Sequence, residues 1–124
     1  MLFRSLFKND MDTTVARNKL MQNAKLYRGV AVVITDEVQE RIVLAQAADE
    51  LLNVSGVEAA VVASPDRQNG ISVSDRSIGE MNVQILMEKL GGGGNRSAAA
   101  AKLEHMSVNE VEKKIHAAID DYLG

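Results

Sequence analysis

Cysteine is absent from this 124-residue chain, which excludes a disulfide framework and any thiolate zinc site. His105 and His116 are the only histidines, too few for a convincing imidazole metal cluster. No apolar run approaches the roughly 18 residues that mark a membrane span, and the opening Met1–Lys8 is too short and interrupted for a secretory leader. Without that leader, Asn53-Val54-Ser55 and Asn95-Arg96-Ser97 read as chance glycosylation sequons. Aromatics are scarce: Phe3, Phe7, Tyr27 and Tyr122 are all there are, and none is near the glycine-rich stretch. Base stacking along a strand has little to build on. Excess positive charge is missing as well, the net charge being −3, so broad nucleic-acid binding is disfavoured.

What remains is an ordinary globular composition, 46% apolar and 25% charged, in a length that suffices for one domain with a core. Residues 1–9 are apolar with two basic side chains, a segment that packs on the domain or belongs to a larger protein. Asp10 or Asp12 is placed to cap a helix running to about Leu26, with Met11, Val15, Met21 and Ala24 on its apolar face. The β-branched run Gly29–Ile34 predicts a buried strand. Asp36, with Gln39 reaching back, predicts the cap of a helix whose face is Val38, Ile42, Ala45 and Leu52. Val57–Ala63 predicts a second strand, Pro65–Gly70 a turn, and Ile71–Ser74 a third strand with one polar face. Ile78–Leu90 predicts a buried helix, Ala98–Leu103 a short helix, and the capping box Ser107–Glu110 a last helix on the stripe Val111, Ile115, Ala118, Ile119. The class is α/β: a small mixed sheet of about three to five strands covered by helices.

Two features rise above this background. Four consecutive glycines, Gly91–Gly94, are more than a helix stop requires. They let another molecule approach the backbone, and a helix starting behind them would favour an anion. The run is neither a Walker loop nor a dinucleotide fingerprint. The second feature is Ser74-Asp75-Arg76-Ser77 at a strand end. Arg76 carries a fork suited to phosphate, flanked by two hydroxyls. The bland reading of that stretch is a solvated turn with an Asp75–Arg76 ion pair. The two features together point to a single anion-accepting hollow.

The ordered string Val73-Ser74-Asp75-Arg76-Ser77-Ile78-Gly79, then Asn82-Val83-Gln84-Ile85-Leu86-Met87-Glu88-Lys89-Leu90-Gly91-Gly92-Gly93-Gly94, resembles the DHHA1 domain of DHH-type phosphoesterases. It is most similar to the subgroup of membrane-anchored bacterial phosphodiesterases that cleave cyclic di-AMP, where the pattern runs I-S-A-R-S-L-G and N-V-Q-x-I-M-E-x-L-G-G-G-G-H. Leu6–Asp10 and Arg17–Leu20 resemble the segment that joins the DHH domain to DHHA1.

The resemblance implies a DHHA1-like fold, with residues 1–26 leading in from a missing DHH domain and residues 27–124 forming the substrate-binding domain. It implies that Ser74, Arg76 and Ser77 contact phosphate or nucleotide, that Gly92, Gly93 and Gly94 let their backbone approach it, and that Asn95 stands where the family has histidine. Asparagine can hydrogen-bond a phosphate but cannot carry a charge. Asp75 replaces a small residue and would orient Arg76 or compete for it. The implied ligand is cyclic di-AMP, pApA or a short oligonucleotide. The implied cofactor is Mn2+, held by the DHH lobe and not by this chain, since no DHH triplet is present. Alone, the chain is expected to be an inactive fragment of a hydrolase and cytoplasmic, its parent anchored through other segments; a homodimer stands open. Two other readings remain: a lobe of an oligoribonuclease or single-strand exonuclease, and an interaction module without a ligand, using an apolar patch of Leu2, Phe3, Leu6 and Phe7.

Overall fold

The computed structural model describes residues 2–124, with side chains from residue 11 onward. In chain order the elements are α1 (Leu2–Gln22), β1 (Lys25–Tyr27), β2 (Val30–Ile34), α2 (Arg41–Leu51), β3 (Ala59–Pro65), β4 (Gly70–Ser77), α3 (Val83–Glu88), β5 (Gly93–Gly94), β6 (Ala98–Glu104) and α4 (Val108–Leu123). The six strands form one mixed sheet in the order β1-β2-β3-β4-β6-β5. Only β2 and β3, joined through α2, are parallel; every other neighbour is antiparallel. The class is the expected α/β, with one strand more than the upper expectation.

Each face of the sheet carries its own core. On one side Val30, Val32, Val61, Val73, Leu103 and their neighbours pack against α3 and the Val111–Ile119 stripe of α4. On the other, Ala31, Val33, Ala60 and Val62 pack against α2 and Leu20 of α1. Period-two alternation sends successive residues of each strand to opposite cores. α4 is fixed as expected at its start: the Ser107 hydroxyl accepts from the Glu110 amide (3.1 Å), and the Glu110 carboxylate accepts from the Ser107 amide (3.1 Å).

Several expectations are corrected. α1 starts at Leu2, so neither Asp10 nor Asp12 caps it, and it ends at Gln22 because Lys25–Tyr27 pair with β2. Met11 and Val15 are exposed, while Leu20 enters the core. The patch of Leu2, Phe3, Leu6 and Phe7 lies outside the described side chains. α2 begins after Glu40, not Asp36, and Glu40 makes no side-chain cap. Its buried face is Val43, Leu44, Ala47, Ala48 and Leu51, so Ile42 and Val38 are left exposed. α3 is only the six residues Val83–Glu88. Residues 98–104 are a strand, so no helix follows the glycines. No helix among the described residues is long and apolar enough to cross a membrane.

Candidate functional site

β4 is the axis of the site. Its register sets Arg76 beside Ala60 and Asp75 beside Val61, and these two partners belong to opposite cores. Ser72, Ser74 and Arg76 therefore face α2, while Asp75 and Ser77 face the α3/α4 side. Across the next ladder Ser74 meets Ala100 and Arg76 meets Ala98 on β6. Beyond β4, this face of the sheet forms the floor of a hollow of about 410 Å³. Ser74, Arg76, Ala98, Ala100, Gly93 and Gly94 line it from the sheet, and Arg41, Ile42 and Ala45 wall it from α2. The strand-end arginine and the glycine run thus meet in one cavity, of a size usual for small-molecule sites.

Arg76 is held before any ligand arrives. Its side chain is 23% exposed, and its Nε lies 3.4 Å from Asp49 Oδ1 on α2. Its Nη1 donates to the Asp75 carbonyl (2.9 Å). The Asp75–Arg76 ion pair of the bland reading does not form. The Asp75 carboxyl is on the opposite face, 0% exposed, and neither of its oxygens has a hydrogen-bond partner. Burial pushes its pKa well above the ordinary aspartate value, and the Arg76 amide and guanidinium offset this only in part. From that face the carboxyl neither competes with a phosphate for Arg76 nor orients it.

The glycines divide by cause. Gly91 takes φ +85° and closes α3, with its amide donating to the Glu88 carbonyl (3.1 Å). A Cβ on Gly92 would strike the carbonyl of Ala100, and one on Gly94, which also has φ +151°, the carbonyl of Ala98. Those contacts come from the close approach of the Gly92–Gly94 backbone to its neighbour β6. Gly93 is different: no atom lies within 4 Å of where its Cβ would stand, and its φ is not in the left-handed range. Nothing in the fold requires glycine there, and the open space is the hollow.

Other candidate residues have internal tasks. The Asn95 Oδ1 accepts from the amides of Ser97 (3.0 Å) and Ala98 (3.0 Å), closing the β5–β6 turn. The Ser77 hydroxyl donates to the Arg96 carbonyl (3.2 Å), and the Arg96 Nη2 donates to the Glu80 carbonyl (3.0 Å). Ser74, Arg76, Gly93 and Gly94 line the hollow; Ser77, Gly92 and Asn95 do not. Arg41, Ile42 and Ala45 were missed because only tertiary packing shows which face of α2 meets the sheet. The turn signal Gly94-Asn95 ahead of Ala98 was available as a mark of a hairpin.

A second hollow, of about 400 Å³, lies where β2 ends, among Lys19, Lys25, Asp36, Glu37 and Glu112. Its acids and bases nearly balance, and Lys19 is paired with Glu37 at 3.0 Å. It gathers neither the glycines nor Arg76. No group of three or more His, Asp or Glu that could hold a metal ion occurs among the described residues.

Residues 14–124 match the sequence profile of the DHHA1 domain. The cyclic-di-AMP phosphodiesterase PdeA of Listeria monocytogenes is 40% identical over 126 residues, covering 98% of this chain and 19% of PdeA. The chain therefore spans about a fifth of that relative's length. Among solved structures, an exopolyphosphatase-related protein from Bacteroides fragilis superposes with a TM-score of 0.77 at 17% identity, over 89% of this chain and 34% of that one. RecJ from Thermus thermophilus, in complex with Mn2+, superposes with a TM-score of 0.70 at 15% identity, over 96% of this chain and 18% of RecJ. At these identities the two structures bear on the fold alone.

Proposed function

Since the chain belongs to the DHHA1 domain family, we propose that it is the substrate-binding lobe of a phosphodiesterase acting on cyclic di-AMP or linear dinucleotides. The phosphate sits in the hollow between α2 and the β4–β6–β5 floor. Arg76 presents a fork already aimed by Asp49 and the Asp75 carbonyl, Ser74 adds a hydroxyl, and the backbone at Gly93 and Gly94 lies bare to the ligand. The observation that carries this reading is Gly93: alone among the four glycines it answers to no demand of the fold. The two aromatics with described side chains are occupied elsewhere, Tyr27 stacked on His116 and the Tyr122 hydroxyl accepting from the Asn82 amide. That favours a short ligand over a stacked single strand.

Manganese belongs, on this reading, to the DHH lobe of the parent protein. The described residues offer no ligand set for it. This chain contributes binding and orientation, which lower the barrier by holding the reacting phosphate in place. Calorimetric titration of the chain with pApA and cyclic di-AMP tests the proposal. Gly93→Ala and Arg76→Ala should each weaken binding by about tenfold or more, with the melting temperature of Gly93→Ala unchanged. Equal affinity in both variants would remove the hollow as the site.

A further inference from the structure

The hollow is not uniformly polar. Arg76 sits beside Asp49 on α2, while Arg41 stands eight residues earlier on the same helix, about 12 Å back along its axis. Between these two cations α2 presents Ile42 and Ala45, and the facing floor presents the small side chains of Ala98 and Ala100. Ile42 is 60% exposed although the same helix buries Val43, Leu44, Ala47, Ala48 and Leu51 in the core. Leaving an isoleucine in water forgoes a favourable burial, and here it does so at the wall of a cavity. A polyphosphate chain would call for cations along its whole length. A cavity with a guanidinium at either end and an apolar middle suits a phosphate joined to a flat apolar ring system.

We infer that Ile42 and Ala45 are the nucleobase-contacting residues of this hollow, so that α2 makes the lobe selective for nucleotides over phosphate esters lacking a base. The inference rests on the phosphate reading above and adds to it the second half of the ligand. The ring lies between the Ile42–Ala45 wall and the alanine floor, the phosphate lies at Gly93 and Arg76, and Arg41 covers the outer end.

Methyl and amide NMR of the full chain, titrated to millimolar concentrations with pApA, ribose 5-phosphate and tripolyphosphate, separates the two claims. An aromatic ring stacked on Ile42 moves its δ-methyl resonance upfield, an effect that no base-free phosphate can produce. The expected result is that pApA shifts the Ile42 and Ala45 methyls together with the Gly93 amide, while ribose 5-phosphate shifts the Gly93 amide alone. Ile42→Ser should weaken pApA by about tenfold and leave ribose 5-phosphate unaltered. If the Gly93 amide moves with pApA and both methyls stay still, the base lies elsewhere: this inference falls while the phosphate site stands. If the Gly93 amide moves with none of the three, both fall.

Discussion

Asp75 is the least expected residue of the molecule. Its neighbour Arg76 turns toward the hollow, and strand alternation turns Asp75 into the α3/α4 core between Val61 and Ala99. A charge there would be desolvated with nothing to pair with, so the group stays protonated well above the ordinary aspartate value of 3.8. Below that value folded and unfolded chains both hold the proton, and burial of the neutral acid is unopposed. Above it the unfolded chain releases the proton while the folded chain keeps it, so stability falls with rising pH until the folded value is passed. The slope in that window approaches about 1.4 kcal/mol per pH unit. Acids that accept hydrogen bonds in the fold act in the opposite sense. The Gln68 and Gly70 amides hold Asp66 low, the Ser107 amide holds Glu110 low, and Arg28 holds Asp120 low; these contributions are lost on acidification. They are shared by any variant at position 75 and cancel in a difference. Urea unfolding of the chain and of Asp75→Asn should therefore show the variant gaining relative stability from about pH 4 toward neutrality. Parallel pH profiles would mean that Asp75 ionises freely in the folded state.

At the scale of elements, the β5–β6 hairpin is where small residues do structural work that composition conceals. β5 approaches β6 closely enough that Gly92→Ala would force the Ala100 carbonyl aside, and Gly92→Ala should lower unfolding stability by roughly 1–3 kcal/mol. Gly93→Ala, two atoms of backbone away but facing open space, should stay within about 0.5 kcal/mol of the parent. Comparable losses in both would mean that the glycines act only through chain flexibility. This hairpin also marks the limit of what the sequence discloses. Alanine is the strongest helix former, and a run of identical residues has no period, so Ala98–Ala101 reads as helix until its pairing with β4 is known. β1 is three residues long and too short to show alternation. On α2, helical spacing fixes which residues share a stripe but not which stripe meets the sheet, so the pattern places Ile42 in the core that Val43, Leu44 and Ala47 occupy. The long apolar strands, the parallel β2–β3 pair and the Ser107–Glu110 cap were legible because each has a local signal: β-branched runs, a helix between two strands, and a reciprocal cap. The meeting of Arg76 with the glycines was suggested by two phosphate-suited features one helix apart and strengthened by the family-like string. The α2 wall, which completes the hollow, had no signal in sequence.

For the whole molecule, the hollow is a consequence of a mismatch in width. A helix with its side chains is about 10–12 Å across and strands are about 4.8 Å apart, so one helix covers about two strands. α1 and α2 can then cover about four of the six strands on their face, and β6 and β5 lie at the far edge of the sheet from β1. The opposite face avoids the gap because α3 and α4 pack against the buried side of β6 through Ala99, Ala101 and Leu103. The outer end of the sheet is thus buried on one side and open on the other, with β5 contributing only two paired residues. Local opening should follow this asymmetry, since segments with few buried contacts open at lower free energy than the core. Hydrogen exchange of the free chain should be slowest in β2, β3 and β4 and markedly faster through Gly93–Ala100. Saturating pApA should slow exchange at β5, β6 and the first turn of α2 by a larger factor than at β1 and its partner α4. Amides of β2 and β3 that exchange through global unfolding slow with any ligand of the folded state, so the locally opening segments are the ones that report where pApA sits. Slowing confined to the opposite end of the sheet, around Tyr27 and Asp120, would shift the binding site to the β1–α4 side, where the Tyr27 hydroxyl donates to the Asp120 carboxylate.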